Sequence, residues 1–453
     1  MYRKNLLGDA DLDILAYTSS MKEDKEIVSE VLESLIAHVK ALSIQGLIPV
    51  GKGKKILEEL KKLLQDPSPL FSINAEDVHE AIEIYLKQKL GEDEGYLALG
   101  KSRNDHVSAA LRLKAKKLLI EQLKELITLR KALLEKAEEH VYTIMPAFTH
   151  LQPAQPSTFA HYLCYIEEVL ADYTKSLFFA LEVVDNSPLG GGAVGGTSVP
   201  LDRKALANGL FSGIVINSIK ATSSRDFLSI ASSMDVNLSV FLSRIAEDIV
   251  IFSTPQFDYL VLPKEHLATS SMMPQKKNPV TMEIAKAWSA ESIGHLTALL
   301  GILKALPTGY NLDMQEANKH ALIILKKTLE TLKIFSDFFK KIEVNEKKLL
   351  IDSKIFPILA TDIAEKISLK SGKPYRKVYG EIAKLIKDSK SVEEFYTKVE
   401  NLYGIKASLE EGIKKPVLGS PNPDKIKEYI ELAKKTLKED SSKLSEVISC
   451  NPL

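Results

Sequence analysis

The sequence is short of the residues that cross-link a chain, span a bilayer or steer a protein toward charge. It has two cysteines in 453 residues, Cys164 and Cys450, too few for a disulfide framework. Cys164 lies in an apolar stretch, which predicts a small buried thiol in a reducing compartment. No apolar run reaches the roughly eighteen residues that a membrane-spanning helix needs, since even the stretch after Ile245 is broken by Glu247, Asp248 and Asp258. Neither charge is in excess: Lys plus Arg number 60, as do Asp plus Glu. A balanced chain has no global field to draw it to nucleic acid or to a membrane surface, so an anionic ligand must be met by a local cluster of donors. The segment MYRKNLLGDADLDI has two basic residues but no long apolar core before its acids begin, unlike a secretion signal. A cytoplasmic protein is expected.

Cofactor signals are also missing. The glycine-rich PLGGGAVGG lacks the Lys-Ser/Thr ending of a phosphate-binding loop and follows no clear strand, so close backbone packing or a substrate-binding turn is the better reading. No Cys/His set has metal-ligand spacing, and no GxSxG nucleophile elbow occurs. We expect no metal and no cofactor.

What the sequence has is helical periodicity. Leu238, Phe241, Leu242, Ile245, Ile249 and Phe252 would form one apolar stripe on a helix. Between Asn104 and Met145 there is neither Pro nor Gly, and Leu119, Leu123, Leu126, Ile127, Leu133, Leu134 and Ala137 continue the pattern. A helix of that length, about 60 Å at 1.5 Å per residue, needs partners along its whole extent. Similar stretches run over about 157–184, 223–252, 279–304 and 311–339. The fold class is therefore all-α: an elongated bundle of long helices (100–343) flanked by smaller helical domains at the N-terminus (1–99) and C-terminus (344–453). Strand signals are confined to short runs such as FDYLVL.

The Gly and Pro punctuation falls between the long helices, and those linkers hold the unusual polar clusters. In TSSMMPQKKNP, adjacent serines precede a Met-Pro turn and two lysines, with Glu283 where the next helix begins. Lysines lower the cost of an alkoxide and can hold a carboxylate, although a solvated basic loop has the same composition. In Lys101–His106, Ser102 or Asn104 could cap the longest helix, and free backbone N–H groups with Arg103 would suit a carboxylate. A well-capped helix start explains that cluster equally. His150, set by the Pro-rich THLQPAQP, could exchange protons near neutral pH, yet most single histidines do not.

Taken together, these segments resemble the argininosuccinate lyase family of the fumarase and aspartase superfamily, from about Glu76 to Gln315 with motifs in order. TSSMMPQKKNP resembles the superfamily signature GSSxMPxKxNP, with Thr269 in the glycine position. SRND at 102–105, THLQPAQP at 149–156, SRDF at 224–227 and YNLDMQE at 310–316 resemble the argininosuccinate branch. The resemblance implies a homotetramer built on pooled helices, with each active site shared between subunits. It implies reversible β-elimination of argininosuccinate to arginine and fumarate, in arginine biosynthesis, with Ser270 as base and Lys276 stabilising the carbanion. A lysine there helps the transition state more than the substrate, because the carboxylate charge grows as the proton leaves. His150 would be the proton donor, oriented by Glu283. Arg103, Asn104, Thr149, Asn278, Tyr310 and Gln315 would hold substrate, and an alignment through Ala37 and His38 adds Ser20 and Asp24 against its arginine portion.

The sequence departs from the family in three places. LALGKSRND lacks the usual His-Thr and has Lys101 where Arg is common; YNLDMQEANK has Ala317 and Asn318 in place of Asp-Lys; YRKVYGE, around Tyr379, lacks a frequent histidine. The rival expectations are another lyase of the superfamily, which would share the fumarate-forming half, and a structural homologue or helical scaffold without activity.

Overall fold

The computed structural model describes Gly8 and residues 11–450. Most of the N-terminal segment compared above with a secretion signal lies outside the described residues, as does the Cys450 side chain. Setting aside helices of one or two turns, the chain begins with α1 (Val28–Ile44), α2 (Val50–Gln65) and α3 (Val78–Leu90). Five long helices follow: α4 (Arg103–Glu139), α5 (Phe159–Val184), α6 (Asp226–Phe252), α7 (Val280–Leu303) and α8 (Asp313–Lys341). Then come α9 (Glu346–Ile355), α10 (Ala360–Ser371), α11 (Tyr375–Lys387), α12 (Val392–Tyr403) and α13 (Pro423–Cys450). Five of the long helices are the stretches expected from periodicity; α13, 28 residues that pack on α4 and α5, falls where only shorter helices were expected. The fold class is all-α.

Local chemistry accounts for their ends. Ser102 caps α4: its Oγ accepts the Asn104 N–H at 3.2 Å while Asp105 accepts the Ser102 N–H at 3.0 Å, a reciprocal capping box. The other Asp105 oxygen accepts the N–H groups of Gly190 and Gly192, both at 3.1 Å. The glycine-rich segment is thus a close-packing device. A Cβ on Gly192 would stand 2.2 Å from the Gly196 carbonyl oxygen, and its φ of +62° lies where side chains are strained. Burial pushes the Asp105 carboxyl up to about 7 against these donors.

α4 is 37 residues, about 55 Å, and packs against α1, α5, α8 and α13. Of the apolar positions read from its periodicity all are buried but the half-buried Ile127, and the α6 stripe from Leu238 to Phe252 is buried throughout. One apolar core runs from α1 through the bundle to α13, and a second joins Ile144 to α10, α11 and α12. Arg130 of α4 is buried with Glu167 of α5 at 2.9 Å and Asp440 of α13 at 2.6 Å. Both carboxylates are needed there, because a guanidinium taken out of water is costly unless paired. Cys164 is a buried free thiol, pushed up to about 12 by burial, as its apolar surroundings predict. Among the described residues no helix is long and apolar enough to cross a membrane.

One linker is more ordered than its sequence suggests. The Pro-rich segment before α5 is a hairpin of β1 (Ile144–Thr149) and β2 (Gln152–Thr158), with Pro146 opposite Pro156 and Phe148 opposite Pro153. Prolines cannot donate to a ladder, but a two-stranded ribbon has free edges that need no donor. Phe148 fastens the hairpin by packing among Phe252, Phe257 and Tyr259. Strand signal was present in FDYLVL, where Leu260–Val261 pairs with Glu343–Val344.

Candidate active site

Six of the residues singled out from sequence line one cavity of about 840 Å³: Ser20, Asp24, Arg103, Asn104, Tyr310 and Gln315. Three helix starts converge there, namely the first turns of α3, α4 and α8, and the positive ends of their dipoles favour anions. The side chains favour cations instead. Glu23, Asp24, Glu76, Asp77, Asp313 and Glu316 face Arg103 and Lys319, six carboxylates against two cations. Such a cavity suits a zwitterionic ligand with strong cationic groups.

Neighbouring chain segments fix the site from both sides. Arg103 pairs with Asp77 at 2.8 Å and with Glu76 at 3.5 Å. Ser20 donates its hydroxyl to Asp24 at 2.9 Å, and the same Asp24 oxygen accepts the Val78 N–H at 3.1 Å. Ser19 and the Ser20 N–H both bond the Glu76 carbonyl, at 2.7 and 3.1 Å, so the short N-terminal helices are laced to the start of α3. Burial pushes the Asp24 carboxyl up to about 6, although Val78 and Ser20 pull the other way. Lys101, the departure from Arg, forms a buried ion pair with Glu83 at 2.9 Å beneath the loop that presents Arg103. Around that lysine His38, His79 and His106 are buried, and burial first, then Lys101 (for His106 also the neighbouring His38), pushes their imidazoles down.

The remaining sequence candidates lie elsewhere in the chain and at its surface. Ala268–Thr269 pairs with Lys277–Asn278 and closes a loop that carries Ser270 and Lys276. His266 ties the base of that loop to α7 through Thr281 at 2.9 Å and to α8 through Asp337 at 3.1 Å. Ser270 Oγ accepts the N–H groups of Met272 at 3.2 Å and Met273 at 3.0 Å. Two donors aimed at one hydroxyl oxygen favour its alkoxide form. Lys276 and Glu283 are exposed, Asn278 half-buried, and Met272 is 86% exposed.

Thr149 and His150 are exposed at the tip of the β1–β2 hairpin. His150 and Leu151 have φ of 55° and 57°, the left-handed pair that a two-residue hairpin turn requires. Neither is glycine, so each costs about 1–2 kcal/mol of strain, the kind that concentrates at functional positions. Among the described residues no hydrogen bond or ion pair joins His150 to Glu283. One chain therefore gathers the cavity half of the candidate set and leaves the proton-transfer half spread over its surface.

Arg225 was used in the sequence only as part of SRDF, yet it stands behind the cavity wall. Its Nε donates to Asn318 at 3.1 Å and its Nη1 to the carbonyls of Thr222 and Ser224. Asn318 and the neighbouring Tyr310 line the cavity. No carboxylate of the described residues pairs with it, Nη2 is buried without a partner, and burial pushes the guanidinium down to about 10. Asp77 and His79 were missed as well. The EDVH that opens α3 was their signal, since an Asp N-cap places the next turn at a helix start.

Comparison with known proteins shows the family to which the chain belongs. The family described as Lyase matches residues 7–294. Argininosuccinate lyase of Pyrococcus furiosus is 61% identical over 447 residues, covering 99% of this chain and 97% of that protein. Argininosuccinate lyase of Sulfolobus acidocaldarius is 41% identical, covering 96% of this chain and 92% of that protein. The chain belongs to the argininosuccinate lyase family. Its fold is also that of two solved enzymes outside the family's close range. EDDS lyase in complex with formate has a TM-score of 0.83 at 24% identity, over 94% of this chain and 89% of that one. Class II fumarase from Schistosoma mansoni has a TM-score of 0.67 at 17% identity, over 84% and 91%.

Proposed function

We propose that this chain is a carbon–nitrogen lyase that splits argininosuccinate reversibly into arginine and fumarate, in arginine biosynthesis. The observation that carries the reading is the cavity: Ser20, Asp24, Arg103, Asn104, Tyr310 and Gln315 meet in an acid-rich space next to three helix starts. The arginine half brings a guanidinium and an amino group for the carboxylates and a carboxylate for Arg103 and the helix starts. Ser270, as the alkoxide that the Met272 and Met273 N–H groups favour, takes the proton beside a succinyl carboxylate and becomes the hydroxyl, and the charge that grows on that carboxylate is held by Lys276 and Asn278. His150, oriented by Glu283, returns a proton to the departing guanidinium nitrogen, and Thr149 contributes to substrate binding.

The reading includes a homotetramer whose sites are shared between subunits. α7 supports it, because the helix is apolar on most sides yet only six of its 24 residues are buried within one chain. Ile284, Ile293 and Leu300 are 69%, 49% and 46% exposed. Neighbouring subunits would cover that surface and bring Ser270, Lys276 and His150 to a cavity from which each is separated in its own chain. We assign the enzyme to the cytoplasm, in keeping with its unpaired, buried Cys164.

The test offers purified protein argininosuccinate and adenylosuccinate in parallel, follows fumarate by ultraviolet absorbance and confirms arginine by mass. Fumarate from argininosuccinate alone is expected. Fumarate from adenylosuccinate alone would overturn the substrate, and silence from both in a folded oligomer would overturn the activity.

Asp24 gives the reading a pH signature. Its carboxyl, raised by burial from 3.8 to about 6, must be ionised to hold a cation. The Michaelis constant for argininosuccinate is expected to be steady above about pH 7 and to rise as pH falls through about 6, by about tenfold per unit. Asp24→Asn should raise the constant at neutral pH and flatten it across that window. A group raised in the fold stabilises the protein most below its unfolded value and loses that contribution as pH rises through 6, so the affinity lost at low pH does not come from unfolding at Asp24. A wild-type constant flat from about pH 7 to 5 would remove Asp24 from the site.

A further inference from the structure

Asn318 is one of the places where this sequence leaves its family, standing where a lysine is usual. Its Oδ1 accepts the Arg225 Nε at 3.1 Å, and it lines the cavity on the first turns of α8. A lysine at this position would remove the acceptor and set a second cation against a buried guanidinium. An aspartate would supply the acceptor but cancel the charge. The amide does neither, and among the described residues Arg225 has no other side-chain hydrogen-bond partner: Thr222 and Ser224 offer only carbonyls, and Nη2 is buried without a partner.

We propose that Asn318 is a positioning and specificity residue, whose neutral amide holds Arg225 in place against the cavity wall while leaving its full positive charge to act on Tyr310 and on an anionic group of the substrate. The inference rests on the argininosuccinate reading above. A buried cation with only neutral partners has the most to gain from an incoming carboxylate, because low polarity strengthens the attraction and no internal anion competes for it. Neutral anchoring therefore tunes the site toward a substrate with several carboxylates. A lysine at this position would add to the repulsion that Arg225 already shares with the buried Arg112.

The test compares Asn318→Asp and Asn318→Leu with wild type, measuring the melting temperature and the kinetic constants for argininosuccinate on the same preparations. Asn318→Asp supplies the carboxylate that Arg225 lacks, so its melting temperature is expected at or above that of wild type. The same change should raise KM about tenfold, the scale of a lost charge-assisted hydrogen bond, with kcat changed by less than about threefold. Asn318→Leu removes the anchor and should lower the melting temperature as well as raise KM. Stability and affinity moving in opposite directions in Asn318→Asp is what a merely structural role would not produce. An Asn318→Asp KM within about twofold of an active wild type, or a rise in KM accompanied by a fall in melting temperature, would overturn the inference alone. Wild-type protein that released no fumarate from argininosuccinate would overturn the underlying reading, and the inference with it.

Discussion

Ser270→Ala is expected to lower kcat for argininosuccinate by at least about 10²-fold, the minimum for losing an essential proton acceptor, while leaving the melting temperature and oligomeric state unchanged. The separation of effects follows from where the residue sits. Ser270 is on a loop closed by the Ala268–Thr269 and Lys277–Asn278 pair, and among the described residues its Oγ bonds only to the N–H groups of Met272 and Met273 within that loop. No core contact is lost with the hydroxyl, and the loop's base stays pinned through His266. The two N–H groups matter to chemistry rather than to stability, since they favour negative charge on an oxygen that is otherwise too weak a base. Turnover within about tenfold of wild type would exclude Ser270 as the base and direct attention to another acceptor near the substrate's succinyl carbon.

Mixing two inactive variants should restore activity. Arg103→Gln removes a cavity cation, and Ser270→Ala removes the base; each alone is expected below about 1% of wild-type turnover. If every site takes Arg103 from one subunit and Ser270 from another, random reassembly of equal amounts leaves both intact in about a quarter of the sites. Co-denaturation and refolding, or co-expression, should therefore recover about 25% of wild-type activity from parents that have almost none. Arg103 lines the cavity, whereas Ser270 lies on a loop at the surface of the same chain. Activity no greater than the sum of the parents, in oligomers shown to have exchanged subunits, would mean that both groups serve one site from one chain.

How much was legible beforehand depended on how local the signal was. The capping box at Ser102 and Asp105 needs only a Ser and an Asp three residues apart, and a helix that keeps its apolar stripe for 37 residues declares itself. The β1–β2 hairpin was not legible, because its prolines argue against strand in any sheet with a ladder to complete, and only the anchoring of Phe148 among Phe252, Phe257 and Tyr259 makes the ribbon stable. Arg225 was visible as a motif residue but not as a buried cation. That status depends on Asn318, 93 residues later, being a neutral acceptor and on no carboxylate arriving from elsewhere.

The sequence by itself determined the all-α bundle, the approximate extents of its five central helices and the family to which it belongs, because helical period, caps and an ordered set of motifs are properties of residues close together in the chain. The tertiary structure decided which candidates meet. Ser20 reaches Arg103 and Tyr310 only because α3, α4 and α8 begin at one place, while Ser270 and His150, equally clear as motifs, lie at other parts of the surface. Charge worked the same way. A chain with no net charge gathers six carboxylates around one cavity and leaves an unpaired guanidinium behind its wall, since burial and neighbours from distant segments, rather than composition, set the field that a ligand meets.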